Sequence, residues 1–284
     1  MNFGYLRHWS RSAPVISAII IGVVITLTAV PARAASVGVF TGGRATSANL
    51  FNGGPTSGIR QAILGAGHTL SGTGSLNSAY LATTDIFITG AIDAFDSANS
   101  FNATAPEISD LTSWINGGGT FVITGERNTF KARYNSFLNP FGVTLEGQGA
   151  NYNAFPNFIN DPSNPYLQNG VSGSSIPTSN HGWYSVLPAP AEILSRDSNN
   201  RVFAFRLAFG SGQIIGIADT FFLQNPQFGS ASNPGKDFLL NAIDLARVGG
   251  PVSSVPLPGA LPLFASGLAL VGFAAHRRRR RQAG

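Results

Sequence analysis

Three short apolar runs, each followed directly by Thr-Gly, constrain the fold of this chain most strongly. They are residues 36–40 (SVGVF), 85–88 (DIFI) and 120–123 (TFVI), and β-branched or aromatic side chains recur in each. Apolar runs of this length, bounded by glycine-containing turns, are typical of buried parallel strands. The shared Thr-Gly ending predicts that the three strands finish at one edge of the same sheet.

Helical patterns lie between and after these runs. Residues 104–116 begin with a capping box, in which Thr104 is the N-cap and Glu107 follows three residues later. Asn233-Pro234 predicts the start of another helix, because an N-cap residue is followed there by proline in the first turn. A weaker apolar stripe over residues 59–63 predicts a short helix that ends in nearby glycines.

Strands and helices that alternate over residues 36–248 predict one α/β domain. We expect a flavodoxin-like, open, mostly parallel sheet with helices on both faces. Later strands are predicted at residues 201–209 and 213–218, joined as a hairpin by a Gly-Ser-Gly turn. Residues 147–190 break the pattern and predict an irregular insertion that is functional or covers an edge of the sheet.

This body resembles the class I glutamine amidotransferase-like superfamily, and in particular its non-catalytic branches. The resemblance is carried by residues 37–43, by residues 111–126 (LTSWINGGGTFVITGE) and by residues 210–245. It implies a flavodoxin-like fold. The superfamily's enzymes use a cysteine nucleophile at a strand-to-helix turn, and this chain contains no cysteine. Glutamine amidotransferase activity is therefore excluded, and no cofactor is implied.

The first 34 residues have the composition of a secretory signal peptide. Basic residues precede the uncharged apolar segment 15–30, and Ala32 and Ala34 supply small side chains at the expected cleavage site. The alternative is an uncleaved N-terminal anchor. We expect a signal helix that signal peptidase removes.

The other end combines a short motif, an apolar segment and a basic cluster. Residues 249–258 form a linker ending in the motif Val255, Pro256, Leu257 and Pro258, and residues 259–275 carry no charge. Such a segment, at about 1.5 Å per residue, is just long enough to cross a thin bilayer as a C-terminal transmembrane helix. A basic tail, residues 276–284, follows. Its arginines, expected to stop transfer and stay cytoplasmic, are Arg277, Arg278, Arg279, Arg280 and Arg281.

This arrangement resembles the PEP-CTERM sorting signals of Gram-negative bacteria, in the VPLPA-type variant. Gly259 departs from the variant, because it stands between Pro258 and Ala260. The resemblance implies processing by an exosortase, an inner-membrane-anchored intermediate that faces the periplasm, and a final place at the cell surface or in the exopolysaccharide matrix of a biofilm. The alternative is an ordinary C-terminal membrane anchor.

The net charge of +5 does not indicate a nucleic-acid partner. Eight of the 18 lysines and arginines lie in the two end segments, whereas all 13 acidic residues lie between them. The body is therefore slightly acidic, and the basic residues belong to segments that flank a membrane. No nucleic acid is expected as a partner.

Ligands of open parallel sheets bind beyond the carboxyl ends of the strands. This rule predicts a crevice formed by Thr41, Gly42, Gly43, Arg44, Gly90, Glu126, Arg127, Asn128, Asp219 and Thr220. Glu126 and Asp219 are candidates for an acid–base pair. The alternative is that Glu126 begins a helix and that Asp219 is a turn residue. The histidines lack the spacing of a zinc site, so no metal is expected.

Three functions remain open from the sequence. The first is a non-enzymatic envelope or matrix protein that is exported and sorted through its tail. The second is a secreted enzyme that acts on polysaccharide in the crevice. The third is a carbohydrate- or protein-binding module, for which His181-Gly182-Trp183-Tyr184 would supply an aromatic platform.

Overall fold

A computed structural model describes residues 34–41, 44, 54–90, 92, 102–126, 130–147, 155–176, 178, 181–220, 223 and 234–249. Its core is a ten-stranded mixed sheet. The strands are β1 (Ser36–Phe40), β2 (Thr69–Thr73), β3 (Ile86–Ile88), β4 (Thr120–Thr124), β5 (Thr144–Gly147), β6 (Asn157–Phe158), β7 (Gly182–Val186), β8 (Glu192–Arg196), β9 (Val202–Phe209) and β10 (Gly212–Ile217). The helices of the described ranges are α1 (Ser57–Gly65), α2 (Ser78–Leu81), α3 (Ala105–Asn116), α4 (Lys131–Leu138) and α5 (Pro234–Gly249).

The sheet has a parallel half and an antiparallel half. The parallel strands stand in the order β2-β1-β3-β4-β10, which is the strand order of flavodoxin-like folds. β9 pairs antiparallel with β10, and β8 and β7 both pair with β9. The predicted open, parallel sheet is thus confirmed for the half from β2 to β10, and the sequence missed most of the antiparallel extension.

Helices cover the two faces of the parallel half. α1 contacts α5, whereas α2 contacts α3. Because β1 lies between β2 and β3, right-handed crossovers place α1 and α2 on opposite faces. The predicted capping box is present: the Thr104 side chain accepts from the Glu107 N–H, and the Glu107 carboxylate accepts from the Thr104 N–H. α5 begins at the predicted Pro234, while Asn233 lies outside the described residues.

Two strands show why the sequence missed part of the sheet. β2 (TLSGT) is a half-exposed strand at the end of the sheet, so it has no apolar run to reveal it. β7 lies inside the expected irregular insertion, yet it pairs with β5 and β9. The described part of residues 147–190 therefore belongs partly to the sheet, and three of its aromatic residues, Phe158, Tyr166 and Tyr184, are buried.

The predicted terminal membrane segments lie outside the described residues. At the N-terminal end these are residues 15–30 and the cleavage residue Ala32. At the C-terminal end they are the motif at 255–258, the apolar segment 259–275 and the arginines at 277–281. Ala34, the other predicted cleavage residue, is described and exposed. Within the described ranges, no helix has both the length and the apolar character needed to cross a membrane.

The packing between β9 and β10 leaves no room for a side chain at Gly216. A Cβ atom there would lie 2.1 Å from the ring of Phe205, the residue opposite it on β9. The Phe205 ring is itself fully buried and stands edge-on to Tyr184, with 4.6 Å between ring centroids. The ring therefore has no open space into which to move.

We predict that Gly216→Ala lowers the free energy of unfolding by about 1–3 kcal/mol, since overpacking forces buried side chains off their rotamers. Gly74→Ala is the matched control, because a Cβ at Gly74 meets no atom within 4 Å. We expect the control to change stability by less than about 0.5 kcal/mol. Urea unfolding of both variants measures the difference, and equal stabilities would contradict the packing described here.

Candidate functional site

The carboxyl ends of the parallel strands meet at one edge of the sheet, here called the carboxyl edge. Thr41 follows β1, Gly90 lies two residues after β3, Glu126 lies two residues after β4, and Asp219 lies two residues after β10. The connection that leaves β1 runs to β2 on one side, whereas the connection that leaves β3 runs to β4 on the other, and this reversal is where open α/β sheets bind ligands. The sequence therefore identified the edge correctly, and its use as a ligand site stays a prediction.

An ion pair at this edge connects the segment after β1 to the first turn of α3. The Arg44 guanidinium donates to both carboxylate oxygens of Glu107, at 2.5 and 2.8 Å. Both side chains are buried, with 11% and 6% of their surface exposed. The guanidinium also lies over the Phe40 ring, 5.4 Å from its centroid. Arg44 was predicted to line a crevice, whereas in the structure its guanidinium forms an ion pair with Glu107.

The Glu107 carboxylate has further donors. The backbone N–H of Leu76 donates at 3.0 Å, and Thr104 donates through its N–H and its hydroxyl, both at 3.0 Å. Burial alone would raise the pKa of Glu107, but the hydrogen bonds from Arg44, Thr104 and Leu76 outweigh it and lower the pKa below its usual value. Glu107 is therefore held as a carboxylate. Because Arg44 is 63 residues away in the sequence, no local pattern reveals the pair.

Threonines connect the ends of β3 and β4. The Thr124 N–H donates to the Thr89 hydroxyl at 3.1 Å, and the Thr124 hydroxyl donates to the Gly90 carbonyl at 2.7 Å. Gly90 has a φ of 62°, a left-handed conformation that suits glycine. The Thr-Gly endings of the two strands thus bond to each other, which accounts for that recurring pattern here.

The two carboxylates proposed as an acid–base pair lie near a buried tyrosine. Thr220 donates from its hydroxyl to Glu126 at 2.5 Å, and Asp219 is fully buried. Burial, together with the negative charges of Glu126 and Asp219, raises the pKa of the Tyr134 phenol well above its usual value. Both carboxylates therefore lie within electrostatic reach of one phenol, and their role as an acid–base pair stays a prediction. Gly42, Gly43, Arg127 and Asn128 lie outside the described residues.

The predicted aromatic platform is mostly buried. His181 is fully buried, and its ring stands edge-on to Phe203 with 5.1 Å between centroids. Tyr184 is buried as well. Only Trp183 is partly exposed, and the Arg201 guanidinium covers its ring at 4.0 Å. These residues pack the sheet and do not form a flat exposed strip.

A second candidate site, which the sequence analysis missed, lies at the amino ends of β4 and β10. It is a pocket of about 500 Å³, here called the amino-side pocket. Its lining includes Thr120, Tyr166, Glu192, Arg206, Gln213 and Leu245. Thr120 pairs with Gln213, and Arg206 pairs with Ile215 and Glu192, so the polar side chains share one face of the sheet.

One signal for this pocket was present in the sequence. Arg206 interrupts the apolar strand β9, and Gln213 stands at the start of the apolar strand β10. Polar side chains at inward-facing positions of apolar strands need partners. The partners come from β8 and from the turn at residues 165–167, which are distant in sequence. Among the described residues, no cluster of His, Asp and Glu side chains is suited to a metal ion.

Comparisons of sequence find no relative. No protein-family model matches the chain, and no curated protein matches it. Its similarity to known proteins therefore comes from the fold.

Comparisons of structure show a shared α/β fold. The N-terminal domain of mmIFT52 superposes with a TM-score of 0.55 at 12% identity, over 75% of this chain and 97% of that domain. Two cytoplasmic proteins from Salmonella typhimurium superpose with a TM-score of 0.52 each, at 11% and 10% identity. Each alignment covers 74% of this chain and 98% or 99% of the other protein. At these identities the comparisons show the fold alone, and the expected amidotransferase-like superfamily stays a prediction.

The Arg44–Glu107 pair predicts a defined pH dependence of stability. Because the folded-state pKa of Glu107 is lowered, its stabilising contribution is present above the unfolded pKa of about 4.3 and is lost as the pH falls through the folded-state value. Glu107→Gln is expected to lower the free energy of unfolding by about 3 kcal/mol at pH 7. The difference in unfolding free energy between this variant and the wild type should shrink as the pH falls below about 4.

Glu146→Gln is the control for this prediction. Glu146 pairs with Lys131 at 2.5 Å, but both side chains are more than a third exposed. The control should cost less than about 1 kcal/mol, because solvent screens such pairs. Urea unfolding from pH 3 to pH 7 measures both variants. A cost for Glu107→Gln that is no larger than the control's, or that does not depend on pH, would contradict the role assigned to the buried pair.

Proposed function

We propose that this chain is an exported, exosortase-sorted envelope or matrix protein with a non-enzymatic α/β body. The observation that carries the proposal is the order of features at the C-terminal end: a Pro-rich motif at 255–258, an uncharged segment at 259–275 and five arginines at 277–281. The positive-inside rule keeps the arginines in the cytoplasm and puts the body on the outer side. The N-terminal segment supports the same topology, because its apolar stretch and small residues suit export.

The contacts at the carboxyl edge support a non-enzymatic body. At the reversal of strand order, where a ligand would bind, Arg44 pairs with Glu107, and the ends of β3 and β4 bond to each other through Thr89 and Thr124. A catalytic residue must direct its reactive atoms toward a substrate. The Arg44 and Glu107 side chains instead pair with each other and hold the segment after β1 against the start of α3.

A binding role for the body is the second candidate. The amino-side pocket favours it, because polar side chains on the paired strands β9 and β10 line part of the pocket, away from the carboxyl edge. For the mature protein, the proposed envelope or matrix location implies exopolysaccharide and matrix proteins as partners. Signal peptidase and an exosortase are the partners that it implies during processing.

The first test is the intact mass and N-terminal sequence of the native protein, from cells with and without the exosortase. We expect a product that lacks residues 1–34 in both strains and that is cut near residues 255–258 only when the exosortase is present. The reason is that the motif, and not the body, directs that cut. A product that keeps its tail through Gly284 in both strains would make the chain a plain membrane-anchored protein.

Pro256→Ala tests the motif itself. We expect this variant to keep its tail in cells that contain the exosortase, while Pro251→Ala, a matched proline substitution upstream of the motif, is processed like the wild type. Equal processing of the two variants would show that the motif does not direct cleavage, and the sorting proposal would fail.

A further inference from the structure

The amino-side pocket has the size of a small-molecule site. Its volume of about 500 Å³ falls within the range of about 300–1,000 Å³ that is usual for such sites. Its floor is formed by β4 and β10, and the turn at residues 165–167 and Leu245 of α5 contribute to its walls. Side chains on regular strands hold their positions better than side chains on loops, so the floor is pre-organised for a ligand.

Hydrogen bonds fix the polar groups of the pocket. The Gln213 side-chain oxygen accepts from Arg206 Nε and from the Tyr166 hydroxyl, both at 2.6 Å. The Gln213 amide nitrogen donates to the Thr120 hydroxyl at 3.2 Å. Gln213, Tyr166 and Thr120 are themselves buried. Both functional groups of the glutamine are thereby used, and Gln213 acts as a positioning residue for Arg206.

Arg206 and Glu192 are the exposed pair of the pocket. Arg206 Nη1 donates to a Glu192 oxygen at 3.3 Å, and Asn164 donates from its amide to the other Glu192 oxygen at 2.5 Å. About a third of the Arg206 side chain and two fifths of the Glu192 side chain remain open to solvent. The guanidinium has more N–H donors than these bonds use, and a carboxylate has more lone pairs. Donors and acceptors therefore stand side by side for a ligand.

The charge balance of the pocket indicates which ligand it suits. Arg206 and Glu192 neutralise each other. An anion in the pocket would be repelled by the Glu192 carboxylate, and a cation would be repelled by the Arg206 guanidinium. A neutral ligand with neighbouring hydroxyl groups fits both, because every hydroxyl donates one hydrogen bond and accepts others. Leu245 and Pro165 add apolar surface of the kind on which the C–H face of a sugar ring packs.

We propose that the amino-side pocket binds a neutral saccharide unit, with Arg206 and Glu192 hydrogen-bonded to adjacent hydroxyls. This inference rests on the binding role proposed above and names its ligand class. It does not depend on how the tail is processed. The Tyr166 ring is not a stacking platform in this site, because the Arg206 guanidinium lies over it at 5.5 Å.

The test is isothermal titration calorimetry of the full-length chain against D-glucose, D-galactose, D-mannose and N-acetyl-D-glucosamine. Sulfate and putrescine are the charged probes. We expect saturable binding of at least one of the sugars and of neither charged probe. Glu192→Gln removes a charged acceptor and should weaken that binding about tenfold or more. Ser211→Trp, at an exposed residue of the lining, should also block the site, without removing a side-chain contact described for the pocket.

Glu146→Gln is the matched control, because Glu146 belongs to a similarly exposed ion pair outside the pocket. It should leave sugar affinity within about twofold of the wild type. Thermal unfolding shows that each variant is folded. Sugar affinity that neither pocket variant changes would place the site elsewhere and overturn the inference. Binding of sulfate or putrescine in place of the sugars would overturn the ligand class and leave the binding role standing, whereas no binding of any probe would overturn both.

Discussion

The Glu107 carboxylate accepts hydrogen bonds from three separate segments, and the arrangement of the carboxyl edge depends on it. Arg44 follows β1, Leu76 follows β2, and Thr104 precedes α3. Each segment leaves the sheet at the same edge, and without a common partner each would carry its own unsatisfied charge or N–H group. One buried anion satisfies all of them. The same contacts lie at the edge where flavodoxin-like folds usually accept a ligand.

The sequence predicted those parts of the fold that depend on local pattern. The Thr-Gly endings located three parallel strands, and the capping box located the start of α3, because strand burial and helix capping are decided by residues close together in the chain. β2 escaped because an end strand needs no apolar run. The contacts of the candidate sites were harder to predict, because their residues are far apart in the sequence. Arg44 and Glu107 are 63 residues apart, and Tyr166 and Gln213 are 47 residues apart, so only the fold brings each pair together.

The two ends of the parallel strands have different chemistry because they have different neighbours. At the carboxyl edge, connecting loops turn their polar groups toward one another. At the amino ends, β8 and β9 extend the same sheet in the antiparallel direction and bring Glu192 and Arg206 beside β10. A purely parallel sheet covered by helices would place apolar residues at these positions. The antiparallel extension is what makes a polar surface inside the fold, and it sets this body apart from a minimal flavodoxin-like domain.

β2 lies at one end of the ten-stranded sheet, and its composition bears on how copies of the protein behave beside one another. A long, flat, apolar end strand invites a neighbouring chain to add a strand of its own. β2 has only five residues, TLSGT, and the Tyr80 hydroxyl donates to the Ser71 carbonyl within it. Such a strand offers little for a second chain to extend. Extension of the sheet from one copy of the body into the next is therefore disfavoured at this end.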